Sequence, residues 1–178
     1  MTVASLFLNR RQYMELDNIA TGVLAPLTGF MVEEEFNSVV DTMRLPSNDV
    51  FTLPVIMDIP EDLAEHVSNA DKLDLFFGEA LVGEMTPHSV FTCDKNSVAE
   101  KVFGTSDQNH PGVAHFFAMG NNFVGGPVNL HKRISADFPE YDLTPEETRA
   151  HFAKNNWNTV VGFQTRNVPH RAHEYLLR

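Results

Sequence analysis

A chain of 178 residues is long enough for one large domain, or for one domain and part of a second. Its 43% hydrophobic content excludes a disordered polymer, and no apolar run approaches the length that crosses a bilayer. The formal charge of −11 excludes a general nucleic-acid binder, which needs a basic footprint.

Residues 1–12, MTVASLFLNRRQ, place no basic residue ahead of their apolar ones, as a secretory leader would, so the expectation is a cytoplasmic protein. The PLTGF at residues 26–30 reads as a turn entering a helix. That helix is predicted over residues 32–43, where Val32, Phe36, Val39, Val40 and Met43 recur with helical spacing. Short strands are predicted over 53–59, 72–77, 80–85 and 89–93, each bounded by Pro, Gly, Asp or Asn, as in a compact barrel or sandwich. The single Cys93 excludes an intrachain disulfide and reads as a small, half-buried strand residue. Residues 96–103 look helical and stop at Gly104, and 110–117 suit another short helix. Residues 123–130 read as a strand broken by a glycine turn at Gly125 and Gly126.

Residues 134–142 read as a linker, after which a helix start is clear. Thr144 can cap, Pro145 fits the first helical position, and Glu147 completes a capping box, giving a helix to about Lys154 that ends at Asn155 and Asn156. Trp157 is expected to pack on the strand that follows, Thr159 to Phe163, and a second helix follows the polar loop beyond it. Helix, strand, loop and helix are the opening of an α/β domain. One strand cannot bury the faces of a sheet, so this domain is expected to be incomplete within these residues.

The richest chemistry lies in residues 164–173, QTRNVPHRAH. A loop between strand and helix presents backbone N–H groups and the positive end of a helix, which is where phosphates sit in nucleotide-binding units. Arg166 can hold an oxyanion through two parallel hydrogen bonds, and Gln164 can donate to the same ion. Asn167 is the expected cap, Pro169 falls in the first turn, and His170 and His173, three apart, share a helix face near the loop. Charge agrees with this placement. Residues 1–130 carry 18 acidic and 6 basic side chains, whereas residues 131–178 carry 6 and 7, with four of the eight histidines. An isolated H-x-x-H can be a metal pair or two surface histidines, and on its own it favours the surface. Zinc is disfavoured because zincins space their histidines at i, i+4 around a Glu, so no metal ligand is assigned. Such a layout suits displacement at phosphorus, where positioning and charge stabilisation do most of the catalysis.

QTRN at 164–167 followed by HRAHE at 170–174 closely resembles ATP sulfurylase (sulfate adenylyltransferase). PLTGFM at 26–31, SVVDTMRL at 38–45, EKVFGT at 100–105, NHPGV at 109–113 and the run 138–145 resemble landmarks of its N-terminal region, so the likeness covers essentially the whole chain. The resemblance implies an α+β, α/β organisation: a β-rich PUA-like domain over residues 1–140, then over 141–178 the first helix, strand and helix of a Rossmann-like nucleotidyltransferase domain. It implies transfer of the adenylyl group of MgATP to sulfate, giving adenylyl sulfate and pyrophosphate, with Mg2+ entering as part of the nucleotide. By the same resemblance, Gln164 and Arg166 would hold sulfate. Thr165, Arg166 and Asn167 would form the catalytic loop. ATP would be contacted by Gln164, Thr165, Arg166, Asn167, His170 and His173, with both histidines stabilising the transition state on its phosphates. Homo-oligomers are implied; nucleic acid and membrane are not. Val168 departs from the pattern, because the family places Pro directly after the Asn. The family also carries a downstream glycine-containing nucleotide loop absent from these residues, so little activity is expected of them alone. Two other readings stand beside this one: a non-enzymatic PUA-like module binding RNA or protein, and a nucleotidyltransferase that activates a different oxyanion.

Overall fold

Burial alternates along the first element of the computed structural model, which describes residues 2–134 and 138–178. Strand β1 (Val3–Phe7) buries Ala4 and Leu6 and exposes the residues between them. Helix α1 (Arg10–Ala20) starts in a reciprocal cap, the Asn9 side chain accepting from the Gln12 N–H at 3.0 Å and the Gln12 side chain accepting from the Asn9 N–H at 2.9 Å. It buries Tyr13, Leu16 and Ile19, one stripe at helical spacing. There follow β2 (Gly29–Phe30), α2 (Glu33–Thr42), β3 (Met57–Ile59), α3 (Glu61–Ser68), β4 (Lys72–Phe77), β5 (Ala80–Met85), β6 (Ser89–Phe91), α4 (Lys95–Phe103), α5 (Pro111–Ala118), β7 (Asn122–Leu130), a 3-10 turn at Pro139–Tyr141, α6 (Pro145–Lys154) and α7 (Arg171–Leu176). The chain divides into two compact units, Met1–Pro145 and Glu146–Arg178.

In the first unit seven strands form one hydrogen-bonded network, in the order β1-β4-β5-β7-β2, with β3 and β6 also pairing with β7. Among the described residues only β1 with β4 is parallel; the other strand pairs are antiparallel. Strand β7 is the hub. Asn122 to Val124 pair with β3, Phe123 to Gly125 with β6, Gly126 and Pro127 with β2, and Val128 to Leu130 with β5.

The expected glycine turn inside this strand is therefore absent. Gly125 and Gly126 let the strand run on between crowded backbones. A Cβ on Gly125 would collide with the Met31 carbonyl, and one on Gly126, whose φ is 156°, with the Thr86 carbonyl. Residues 53–59 form a strand only over Met57–Ile59. Pro54 offers no N–H to a ladder, and Val55 instead takes the Met31 N–H on its carbonyl at 3.0 Å. The core joins Leu16 of α1, Phe36 of α2, Leu73 and Leu75 of β4, Met85 of β5 and Phe123 of β7, none more than 1% exposed. Each such side chain contributes about 1.5–3 kcal/mol of transfer free energy.

The second unit begins within α6, whose bounds match the sequence expectation. The expected linker residues 135–137 lie outside the described residues. Helix α6 closes at Asn156, which takes a left-handed φ of 55°, so that the Trp157 N–H reaches the Phe152 carbonyl at 3.0 Å. Trp157 folds back on α6 rather than onto a strand, its ring 5.5 Å from that of His151 and 6.1 Å from that of Phe152.

Candidate active site

Residues Thr159 to Phe163 have the composition of a strand, yet they carry no strand pairing in the structure. A strand exists only by its ladder, and among the described residues of the second unit no other extended segment is there to form one. Val161 is 83% exposed in consequence.

The loop that follows is shaped by its own side chains. The Thr165 hydroxyl accepts the Asn167 N–H at 3.0 Å and donates to the Asn167 carbonyl at 3.3 Å, which tightens the chain across Arg166. Asn167 is not the helix cap. That place belongs to His170, in extended backbone with φ −135° and ψ 178°, while Pro169 stands just ahead of it and α7 begins at Arg171. The His170 Nδ1 accepts from the Ala172 N–H at 3.3 Å, and the His170 N–H donates to Nδ1 of His173 at 3.2 Å. A neutral imidazole has one acceptor nitrogen able to fill an orphan donor at a helix start, so two histidines three apart satisfy here what Asn or Ser satisfies elsewhere.

This reciprocal cap sets the chemistry of both rings. Each Nδ1 lone pair is occupied by a backbone donor, so each neutral ring carries its proton on Nε2. The ring centroids are 4.1 Å apart, and the Phe163 ring lies edge-on to His173 at 5.9 Å. The pair is thus a double donor with fixed tautomers. Gln164 and Arg166 are exposed in the same loop, and among the described residues neither is engaged in a hydrogen bond or ion pair. Glu174, next to His173 in the chain, is paired with Arg178 at i+4.

The structure therefore joins Thr165 with Asn167 and His170 with His173. Among the described residues no hydrogen bond links these two pairs to each other. No group of three His, Cys, Asp or Glu residues among the described residues is arranged to hold a metal ion. No helix there is long and apolar enough to cross a membrane. Two further groupings carry no signal in the sequence pattern, because their members are distant in the chain: Arg133 with Asp17 and Asp142, and Glu15 with His115 on one cavity of the first unit.

Comparison with known proteins places this loop in context. Residues 1–133 match a family described as PUA-like domain, and residues 139–178 match the ATP-sulfurylase family. The chain is 39% identical over 172 residues to the sulfate adenylyltransferase of Thermococcus onnurineus, covering 97% of this chain and 45% of that protein. It is 43% identical over 170 residues to that of Symbiobacterium thermophilum, covering 95% and 43%, and 38% identical over 180 residues to that of Schizosaccharomyces pombe, covering 98% and 37%. It thus spans less than half the length of these curated relatives. Among solved structures, a hexameric APS kinase from Thiobacillus denitrificans superposes with a TM-score of 0.74 at 24% identity, over 99% of this chain and 31% of that one. That likeness shows the fold.

Proposed function

The chain belongs to the PUA-like domain family and matches the ATP-sulfurylase family over residues 139–178, and from this premise we propose that it is the N-terminal part of a longer sulfate adenylyltransferase. Residues 1–140 are the PUA-like domain and residues 141–178 the opening of the catalytic domain. The protein transfers the adenylyl group of MgATP to sulfate. A sulfate oxygen attacks the α-phosphorus, the α–β anhydride bond breaks, and pyrophosphate leaves.

The observation that carries this reading is the pair of Nδ1 contacts that turn the His170 and His173 rings to each other, which assigns the donor role to both Nε2 atoms, at the end of an exposed loop that carries Gln164 and Arg166. Gln164 and Arg166 hold sulfate, the guanidinium through paired hydrogen bonds. Thr165, Arg166 and Asn167 line the nucleotide. His170 and His173 donate to phosphate oxygens, where negative charge grows in the transition state. Sulfate is already a dianion, so no general base is required, and alignment with charge neutralisation supplies the rate. Mg2+ enters with the nucleotide as substrate. The protein is cytoplasmic and self-associates, as the exposed Trp157, Tyr175 and Leu176 of the second unit favour.

The test is pyrophosphate release from MgATP and sulfate, measured for a protein extending beyond Arg178 and for the 178-residue chain. Sulfate-dependent release by the longer protein and little or none by the shorter is expected. A longer protein that ignores sulfate but accepts another oxyanion overturns the assignment of substrate, and robust turnover by these 178 residues overturns the assignment of the missing part.

A further inference from the structure

Helices α1, α4 and α5, with Phe36 of α2 and the segment Leu53–Ile56, line a cavity of about 340 Å³ in the first unit. That volume lies in the range of small-molecule sites, which are mostly apolar with a few converging polar groups. The apolar part is formed by Phe36, Ile56, Val102, Phe103, Phe116 and Met119. Its polar wall is Arg11, Glu15 and His115, which it shares with a smaller cavity of about 100 Å³ that adds Gln12 and Asp58.

Glu15 Oε1 accepts from Arg11 Nε at 3.0 Å, but the Arg11 side chain is 56% exposed, so its charge is largely screened by water. Asp58 accepts from Gln12 Nε2 at 2.9 Å and from the Gly120 N–H at 2.7 Å, neutral donors that leave its charge in place. His115 adds no positive charge, because burial pushes its imidazole below the usual value. Its Nε2 is buried without a hydrogen-bond partner among the described residues. Burial also holds the Glu15 carboxyl above the usual range, despite the Arg11 hydrogen bond that works against it. Glu15 is the carboxylate of this cavity, with Oε1 held by Arg11, Asp58 adds a second only in the smaller cavity beside it, and the nearby Lys95 ammonium is held by the Met119 carbonyl at 2.6 Å; an acid beside an apolar chamber complements a cation with an apolar body. An anion would meet Glu15 and Asp58, and a hydrocarbon would leave Glu15 and His115 unanswered.

We infer that this cavity binds a small apolar amine, its ring or branched chain lodged among Val102, Phe103 and Phe116 and its ammonium on the Glu15 carboxylate. The site is formed within the first unit and does not depend on the activity assigned to the loop at 164–173.

The experiment titrates the 178-residue chain with phenethylamine, phenethyl alcohol and phenylacetate while the methyl signals of Ile56, Val102 and Met119 are followed by NMR. Saturable shifts of these methyls with the amine are expected, with the alcohol and the carboxylate weaker by about tenfold, the worth of one charge-assisted hydrogen bond. Glu15→Gln is expected to bring the amine level with the alcohol, while Glu65→Gln, an exposed acid on α3, changes nothing. Absence of saturable shifts at these methyls, equal binding of the three probes, or an unchanged amine affinity in Glu15→Gln overturns the proposal. Should Glu15→Gln fail to fold, the ranking of the three probes on the unaltered chain decides alone.

Discussion

Arg133 and Asp17, 116 residues apart, are joined side by side, the guanidinium Nε lying 2.9 Å from one carboxylate oxygen and Nη2 lying 3.1 Å from the other. Arg133 also reaches Asp142, its Nη1 donating to the backbone carbonyl at 3.1 Å and its Nη2 pairing with the carboxylate at 3.0 Å. One cation thus ties α1 to the chain on both sides of residues 135–137. The hydrogen bond to Asp17 is the main cause that raises the Arg133 pKa further above its usual value.

Replacement of Arg133 by Met keeps most of the apolar stem and removes the fork. A guanidinium about a third exposed gives less than a buried pair, so the expected loss is roughly 1–2 kcal/mol. A shift of the urea midpoint with an unchanged slope is the measurement. An unchanged midpoint makes the contact a surface ornament.

Gly125 makes a sharper case. A methyl there would collide with the carbonyl of Met31 and the Cα of Val32, both backbone atoms that cannot rotate away. Gly125→Ala is expected to cost about 3 kcal/mol, as buried overpacking does. At Gly162 a Cβ meets nothing within 4 Å, so Gly162→Ala is expected to stay within about 0.5 kcal/mol. Thermal denaturation of the two variants side by side tests the contrast.

The same glycines show what the sequence can and cannot reveal. Strands β4 and β5 are legible to the residue, because Asp71, Gly78 and Pro87 punctuate two apolar runs. Helix α4 is legible through Asp94 at its start and Gly104, with φ 73°, at its end. By contrast, β1 gains its identity from β4, a parallel partner some seventy residues away that no local pattern announces. Helix α1 is hidden by its polarity, since Tyr13, Leu16 and Ile19 are its buried apolar side chains among eleven residues rich in charge. Gly125 and Gly126 read locally as a turn, and only contact with Met31 and Thr86 makes them a crossing. At the candidate site, the residue types were legible in QTRN and H-x-x-H. The roles of the histidines as caps were not, because cap preferences favour Asn167.

Glu15 links the cavity to pH. Its folded pKa is raised, chiefly by burial, so between the ordinary glutamate value and the raised one the folded state binds more protons than the unfolded state. Stability attributable to this group therefore falls as pH rises through that window and is greatest below it. Glu15→Gln cannot titrate. Its stability relative to the unaltered chain is expected to improve as pH rises above the ordinary glutamate value and through the raised one, as read from urea midpoints at each pH. A difference that is flat with pH shows that Glu15 titrates normally.

Arg166 separates function from folding. Its side chain is exposed and holds nothing in place among the described residues. Arg166→Ala is expected to leave stability within about 0.5 kcal/mol while abolishing sulfate-dependent turnover of the longer protein. Loss of both together would make Arg166 a structural residue and remove the oxyanion site from this loop.

His173 tests the mechanism most directly, because its two nitrogens have separate duties. Nδ1 accepts the His170 N–H, and Nε2–H is left to meet a ligand. Long-range proton–nitrogen NMR spectra should therefore show the Nε2–H tautomer for both rings at neutral pH. In the longer protein, His173→Ala is expected to lower kcat by about 10²–10³, the cost of losing one preorganised donor to developing charge, with a much smaller change in the KM for MgATP. His173→Gln, whose amide can reach the Nε2 position, should recover part of that rate, whereas His173→Asn, which reaches only Nδ1, should preserve the cap without the rate. A loss of nucleotide binding equal to the loss of rate would instead make His173 a ground-state contact, since only interactions that strengthen in the transition state act on kcat alone.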